Sequence, residues 1–222
     1  MEFIIYFSVL FSLYCETNSI QFNYDYVTCG SVLKLLNAEH NVRLHSHDVK
    51  YGQGSGQQSV TGVDSSDDNN SYWQVKERSG TTKQCIRGRP VKCGQTVRLM
   101  HLSTGRNLHS HHFKSPLTNN FEVSAFGDNG LGDEGDDWII QCSRGTHWQR
   151  NEYINLKHSN IHAYLHVSGE RYGRPIEGQA EISCINRQSR STEWIAAEGV
   201  FVKPSVESNS VDSNQSSTHE EL

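Results

Sequence analysis

Two histidines spaced by one residue, His109 and His111, follow Leu108 and flank Ser110. Side chains alternate faces along a strand, so both imidazoles of such a pair project to one side. The chemistry on offer is metal ligation or proton transfer. His112 extends the cluster, Leu44-His45-Ser46-His47 repeats the pattern, and Leu165-His166-Val167-Ser168 is a degenerate third copy. Zinc requires three or four ligands converging in a tetrahedron. A first His present in three copies sets those copies around an axis instead of side by side, and Ser168 replaces the second His in the third. The motif therefore predicts no metal and no catalytic residue. The Leu should point inward, with the first His at a strand end and its ring nitrogens capping backbone groups of a turn.

Other candidate chemistry is weaker. The acidic stretches 64–68 and 128–137 lack the EF-hand ligand order with its terminal bidentate Glu, and read as solvated loops. No GxSxG, HExxH, P-loop or dinucleotide fingerprint occurs, so neither an enzyme class nor a cofactor is implied. Asn69-Asn70-Ser71 and Asn214-Gln215-Ser216 are N-glycosylation sequons, and Asn69 is the candidate inside the folded region.

The elements that carry these residues form a repeat. Superposing the three Leu-His positions aligns Leu33, Val97 and Ile154, then Leu35, Leu99 and Leu156, then Asn37, His101 and His158. Apolar-x-apolar followed by the Leu marks a half-buried strand, a turn and a second strand, with Asn41 and Gly105 in the turn. Val60, Val123 and Ile182 correspond, as do Val63, Phe126 and Ile185, and each copy closes on a Trp strand at Trp73, Trp138 or Trp194. Three copies of a four-strand unit predict an all-β fold, a β-trefoil. One unit cannot bury its apolar face alone, whereas three around a pseudo-threefold axis close a short barrel and leave no exposed edge. The copies span about 27–84, 88–145 and 148–203 within a domain at 27–204.

Six cysteines occur. Cys15 would leave with an N-terminal signal, and five remain, an odd number for an oxidising compartment. Cys184 occupies the position of Gly62 and Ala125 and reads as a small buried hydrophobe. Cys29, Cys85, Cys93 and Cys142 then form two disulfides. Cys29 and Cys93 are equivalent by the repeat and should lie apart, which leaves Cys29–Cys85 with Cys93–Cys142, or Cys85–Cys93 with Cys29–Cys142.

The bulk numbers favour many short strands with turns over helices. Hydrophobic residues make up 35%, Gly is frequent at 18, Pro is scarce at 4, and the net charge of −5 without a basic stripe gives no footprint for nucleic acid. Residues 3–14 are an apolar run too short to cross a bilayer, which takes about 20 residues. They read as the core of a signal peptide at 1–19, although Glu2 replaces the usual basic start. No later stretch is long and apolar enough to span a membrane. His219-Glu220-Glu221-Leu222 differs by one Asp-to-Glu change from an HDEL-type retention signal and predicts the lumen of the endoplasmic reticulum. The Ser/Asn/Asp/Glu-rich segment 205–222, without aromatics, predicts a disordered tail that holds this address clear of the domain.

Several stretches resemble the stromal cell-derived factor 2 family, secretory proteins made of three MIR repeats in one β-trefoil. They are Gln58-Ser59-Val60-Thr61-Gly62-Val63, Thr104-Gly105-Arg106-Asn107-Leu108-His109-Ser110-His111-His112-Phe113, Glu122-Val123-Ser124-Ala125-Phe126-Gly127 and Tyr172-Gly173-Arg174-Pro175-Ile176. The likeness runs from about Val27 to Pro204. It implies a non-catalytic component of a lumenal chaperone complex, linked to the unfolded-protein response. That component binds a DnaJ-type co-chaperone and, through it, the lumenal Hsp70, and helps keep unfolded clients soluble. The rival expectation is a lectin-like trefoil that binds glycans, with Trp73-Gln74 and the acidic loops supplying the residue types.

Overall fold

The computed structural model describes residues 25–82 and 85–205. Twelve strands run in chain order: β1 Val32–Asn37, β2 Arg43–Lys50, β3 Gln58–Val63, β4 Trp73–Glu77, β5 Thr96–His101, β6 Asn107–Lys114, β7 Phe121–Phe126, β8 Trp138–Cys142, β9 Ile154–His158, β10 Tyr164–Arg171, β11 Ala180–Ile185 and β12 Glu193–Val200. Four belong to each repeat, and a single 3-10 turn precedes each Trp strand, at Asn69–Ser71, Glu134–Asp136 and Arg190–Thr192.

Strand pairing makes this a β-trefoil, as the repeat predicts. β1, β4, β5, β8, β9 and β12 pair antiparallel in sequence around a ring, and β12 returns to β1 to close it. The hairpins β2–β3, β6–β7 and β10–β11 cap one end of this barrel. Their second strands meet one another about the axis, β3 with β7, β7 with β11 and β11 with β3. The aligned apolar positions fill the core: Leu33, Leu35, Leu44, Val60, Val97, Leu99, Leu108, Val123, Ile154, Leu156, Leu165 and Ile182 are all buried. Each large apolar side chain taken from water contributes roughly 1.5–3 kcal/mol.

The register repeats to the residue. Trp73 lies opposite His101, Trp138 opposite His158 and Trp194 opposite Asn37. The turn after the first strand of each repeat needs one left-handed residue, filled by Asn41 (φ 53), Gly105 (φ 67) and His162 (φ 55). Gly avoids the Cβ penalty there, and Asn and His are among the side chains that tolerate it best. Gly62 meets a different demand, since a β-carbon would come within 2.8 Å of Val42 Cγ2.

Of the two open pairings, the disulfides are Cys29–Cys85 and Cys93–Cys142. Cys184 is free and buried among the core residues, and burial pushes its thiol up to about 12. It is a packing residue, as its alignment with Gly62 and Ala125 predicts. The signal peptide, the tail beyond residue 205, the second sequon and the retention signal at His219, Glu220, Glu221 and Leu222 lie outside the described residues.

Candidate functional site

The residues with chemistry converge where the 3-10 turns meet the Leu-His strands. Each turn hangs from two fixed bonds, and in the first two repeats from a third. The first is made by the Trp that follows it. Trp73 Nε1 donates to Leu44 O at 2.9 Å, Trp138 Nε1 to Leu108 O at 2.8 Å and Trp194 Nε1 to Leu165 O at 3.0 Å. The motif Leu therefore serves twice, its side chain in the core and its carbonyl on an indole.

The second bond comes from the next repeat. His101 Nε2 donates to Asn70 O at 2.9 Å, His158 Nε2 to Gly135 O at 2.8 Å and Asn37 Nδ2 to Ser191 O at 2.8 Å. The other ring nitrogen of His158 accepts backbone N–H groups from Asn160 and Ile161, as Asn37 Oδ1 does from Glu39 and His40. Burial holds His101 and His158 neutral, their rings lowered to about 4. The turn-capping histidines are thus these two, not the first His of the motif, which corrects the expectation from the sequence. His109 lies inside β6 and faces the 3-10 turn, so its nearest polar group is a carboxylate and not a backbone end.

The third bond is made by the motif His and differs among the repeats. In the first, His45 Nδ1 donates to Asp68 Oδ2 at 2.8 Å, and His45 Nε2 meets His47 Nδ1 at 2.7 Å. Burial works against the Asp68 carboxylate, but the Ser71 hydroxyl and His45 outweigh it and lower it. His47 is lowered by burial and by His45 beside it. In the second, His109 Nδ1 donates to Asp136 Oδ1 at 2.9 Å, with Asp133 Oδ1 at 3.6 Å, and His111 Nε2 donates to Glu122 Oε1 at 3.0 Å. In the third, His166 Nδ1 sits 3.2 Å from the Ser183 hydroxyl. His112 is exposed, edge-on to Phe121, and outside these bonds.

The stretch 128–137 is only partly a solvated loop. Asp136 and Asp137 are buried, while Asp128, Asp133 and Glu134 are exposed. Asp136 Oδ2 accepts Asn107 Nδ2 at 3.0 Å and the Asp133 N–H at 3.1 Å. Beside it opens a cleft of about 630 Å³ lined by His109, His111, Asp133, Glu134, Phe126 and His158 among others. Ser110, between the two histidines, is buried and donates its hydroxyl to Glu122 O. The Trp73 ring proposed for glycan stacking is fully buried and offers no face to a sugar.

Two buried acids give no sequence signal beyond a charge in an otherwise apolar strand. Glu122 Oε2 accepts the Ser55 N–H at 3.2 Å, and its other oxygen takes the Ser55 hydroxyl. Glu181 accepts the Leu117 N–H at 2.7 Å and the Thr118 hydroxyl at 2.6 Å. Each carboxylate thus fastens a loop of the preceding repeat. Asn69 is exposed in its 3-10 turn, while Ser71 of the same sequon is buried with its hydroxyl on Asp68.

The MIR domain family matches residues 34–172, so fold and sequence together define a MIR-repeat β-trefoil protein. Human stromal cell-derived factor 2 is 59% identical over 179 residues, which cover 81% of this chain and 83% of that protein. The SDF2-like protein from Arabidopsis thaliana has a crystal structure that superposes with a TM-score of 0.77 at 43% identity, covering 81% of this chain and 98% of that one. A Caenorhabditis elegans structure of a protein with unknown function superposes at 0.76 with 49% identity, covering 80% and 99%. The chain belongs to the stromal cell-derived factor 2 family.

Proposed function

We propose that this protein is a non-catalytic accessory component of a chaperone complex in the endoplasmic reticulum lumen. It binds a DnaJ-type co-chaperone, which links it to the lumenal Hsp70, and it helps keep unfolded clients soluble. The observation that carries this reading is family likeness over the whole folded domain, at 59% identity to human stromal cell-derived factor 2. The signal-like start and the His219-Glu220-Glu221-Leu222 terminus agree with that compartment.

The geometry suits a contact module. Side-chain polar groups around the Leu-His strands are largely spent on holding the 3-10 turns and loops. Of the seven large apolar side chains left in solvent among the described residues, four belong to the second repeat, Leu102, Phe113, Leu117 and Leu131. Exposed apolar groups on a rigid frame are what a protein partner covers.

Crosslinking in lumenal extract, with an internal tag that leaves the terminus free, should recover a DnaJ-type protein. Its absence from the crosslinked material would sink the proposal. A glycan array with hits above background would favour the lectin-like alternative.

A further inference from the structure

The acidic 3-10 turn and the motif histidine of the second repeat were read apart in the sequence and meet in the fold. His109 Nδ1, a carboxylate oxygen of Asp133 and one of Asp136 all lie within 4.8 Å of one another. We propose that these three residues bind a divalent transition-metal ion, with Zn²⁺ the ion that suits the donor set. This goes beyond the chaperone reading and does not depend on it.

Three observations carry the proposal. The first is charge. Asp136 is fully buried, and no Lys or Arg pairs with it or with Asp133 among the described residues; His109 alone stands between the two carboxylates. A buried carboxylate beside a second one is costly unless a cation compensates it. A metal ion does this for both acids at once.

The second is geometry. His109 Nδ1 lies 2.9 Å from the Asp136 oxygen and 3.6 Å from the Asp133 oxygen, separations that subtend about 90° and about 120° at an ion bonded at about 2.0–2.1 Å, so the imidazole can share an ion with either acid. Asp136 is held by Asn107 and by the Asp133 N–H, which leaves Oδ1 directed at the imidazole. The Asp133 side chain is 60% exposed, and its Oδ1, which also accepts the Gly135 N–H at 2.8 Å, is held on the same side of the turn as the imidazole. A neutral His109 ligates through Nδ1 with its proton on Nε2, and the adjoining cleft supplies an approach and room for water as the remaining ligand. An imidazole with two carboxylates favours Zn²⁺ over the all-oxygen preference of Ca²⁺ or Mg²⁺.

The third is an unmet polar group on the residue that holds Asp136. Asn107 is fully buried and donates through Nδ2 to Asp136, yet its Oδ1 has no hydrogen-bond partner. A metal-bound water is the kind of donor this acceptor lacks.

The other repeats supply internal controls. In the first, Ser71 stands where the second has Asp136, and the free nitrogen of His45 is taken by His47. In the third, Ser189 and Thr192 replace both acids.

The test is calorimetric titration of the full-length, tag-free protein with zinc chloride after chelator treatment, on the wild type and on Asp133→Asn and His47→Ala. Asn keeps the capping role of Asp133, so the variant should fold. The expected result is one Zn²⁺ per chain, at least tenfold weaker binding in Asp133→Asn with an unchanged metal-free melting temperature, and no change in His47→Ala. Absence of saturable binding overturns the proposal. So does equal affinity in Asp133→Asn, or an anomalous zinc peak away from Asp136 in a soaked crystal.

Discussion

At the strand-end position, repeat one carries Asn37 and repeats two and three carry His101 and His158, yet all three side chains donate to the same carbonyl of a neighbouring 3-10 turn. At the motif position the opposite holds. His45, His109 and His166 are the same residue, and they meet Asp68, Asp136 and Ser183. Bond geometry is shared where it closes the barrel, whatever residue supplies it. Residue identity is shared along the edge, where the partners have diverged. The threefold axis thus constrains what holds the frame and leaves each turn free to acquire its own chemistry.

The largest effect that could break this comparison lies at the three tryptophans. Changing Trp73, Trp138 or Trp194 to Ala should cost about 3–5 kcal/mol each from the vacated volume. Each loss also strands one Leu carbonyl. Urea melts of the three variants should agree within about 1 kcal/mol, since the mechanism is common to all. A wide spread would show that the symmetry is one of geometry and not of energy.

A smaller effect separates His from Asn at the strand end. Below about 6.5 the unfolded chain takes up protons on His101 and His158, while the buried rings resist until about 4. Their stability is therefore complete above pH 6.5 and drains as pH falls towards 4, by about 2–3 kcal/mol for each. Asn37 contributes none of this. The double variant His101→Asn/His158→Asn should flatten the fall in stability between pH 7 and pH 4.5, measured by urea melts at each pH. An unchanged slope would place the acid sensitivity elsewhere, with His166, also lowered to about 4 by burial, and His47 and Asp68, both lowered, as candidates.

The loop-fastening acids give the smallest contrast. Glu122→Gln and Glu181→Gln should each cost about 1–3 kcal/mol, by weakening charged hydrogen bonds to a buried group. Ser59 holds the corresponding place in repeat one, and its buried hydroxyl has no partner. Ser59→Ala should be neutral or stabilising by up to about 1 kcal/mol. Thermal melts that found Ser59→Ala as damaging as Glu181→Gln would show that all three positions hold a loop.

Much of this frame was legible in the sequence because closure by threefold repetition imposes one register. The aligned Leu, Val and Trp positions are buried except at Val63, whose set with Phe126 and Ile185 is half-buried, and Cys184 packs as its neighbours in the alignment predict. Equivalence of Cys29 and Cys93 removed one disulfide pairing but could not choose between the other two. That choice depends on where residue 85 lies after the barrel has formed. The site was less legible. His109 and Asp136 sit on separate elements, and only the pairing of β6 with β7 and the turn that follows bring them together. Strand alternation also gave no hint that Glu122 and Glu181 are buried, because the loops that satisfy them come from another repeat.

The pairing of β12 with β1 carries a consequence for how the molecule is made. Among the described residues, the first strand to leave the ribosome is completed by the last. At about 5–20 residues per second, β1 waits on the order of 10–30 s with one edge unclaimed. For that interval the nascent chain presents an open strand edge of the kind that recruits other chains. Each molecule of this protein therefore begins as a client for whatever protects unfinished β-structure in the compartment where it is made.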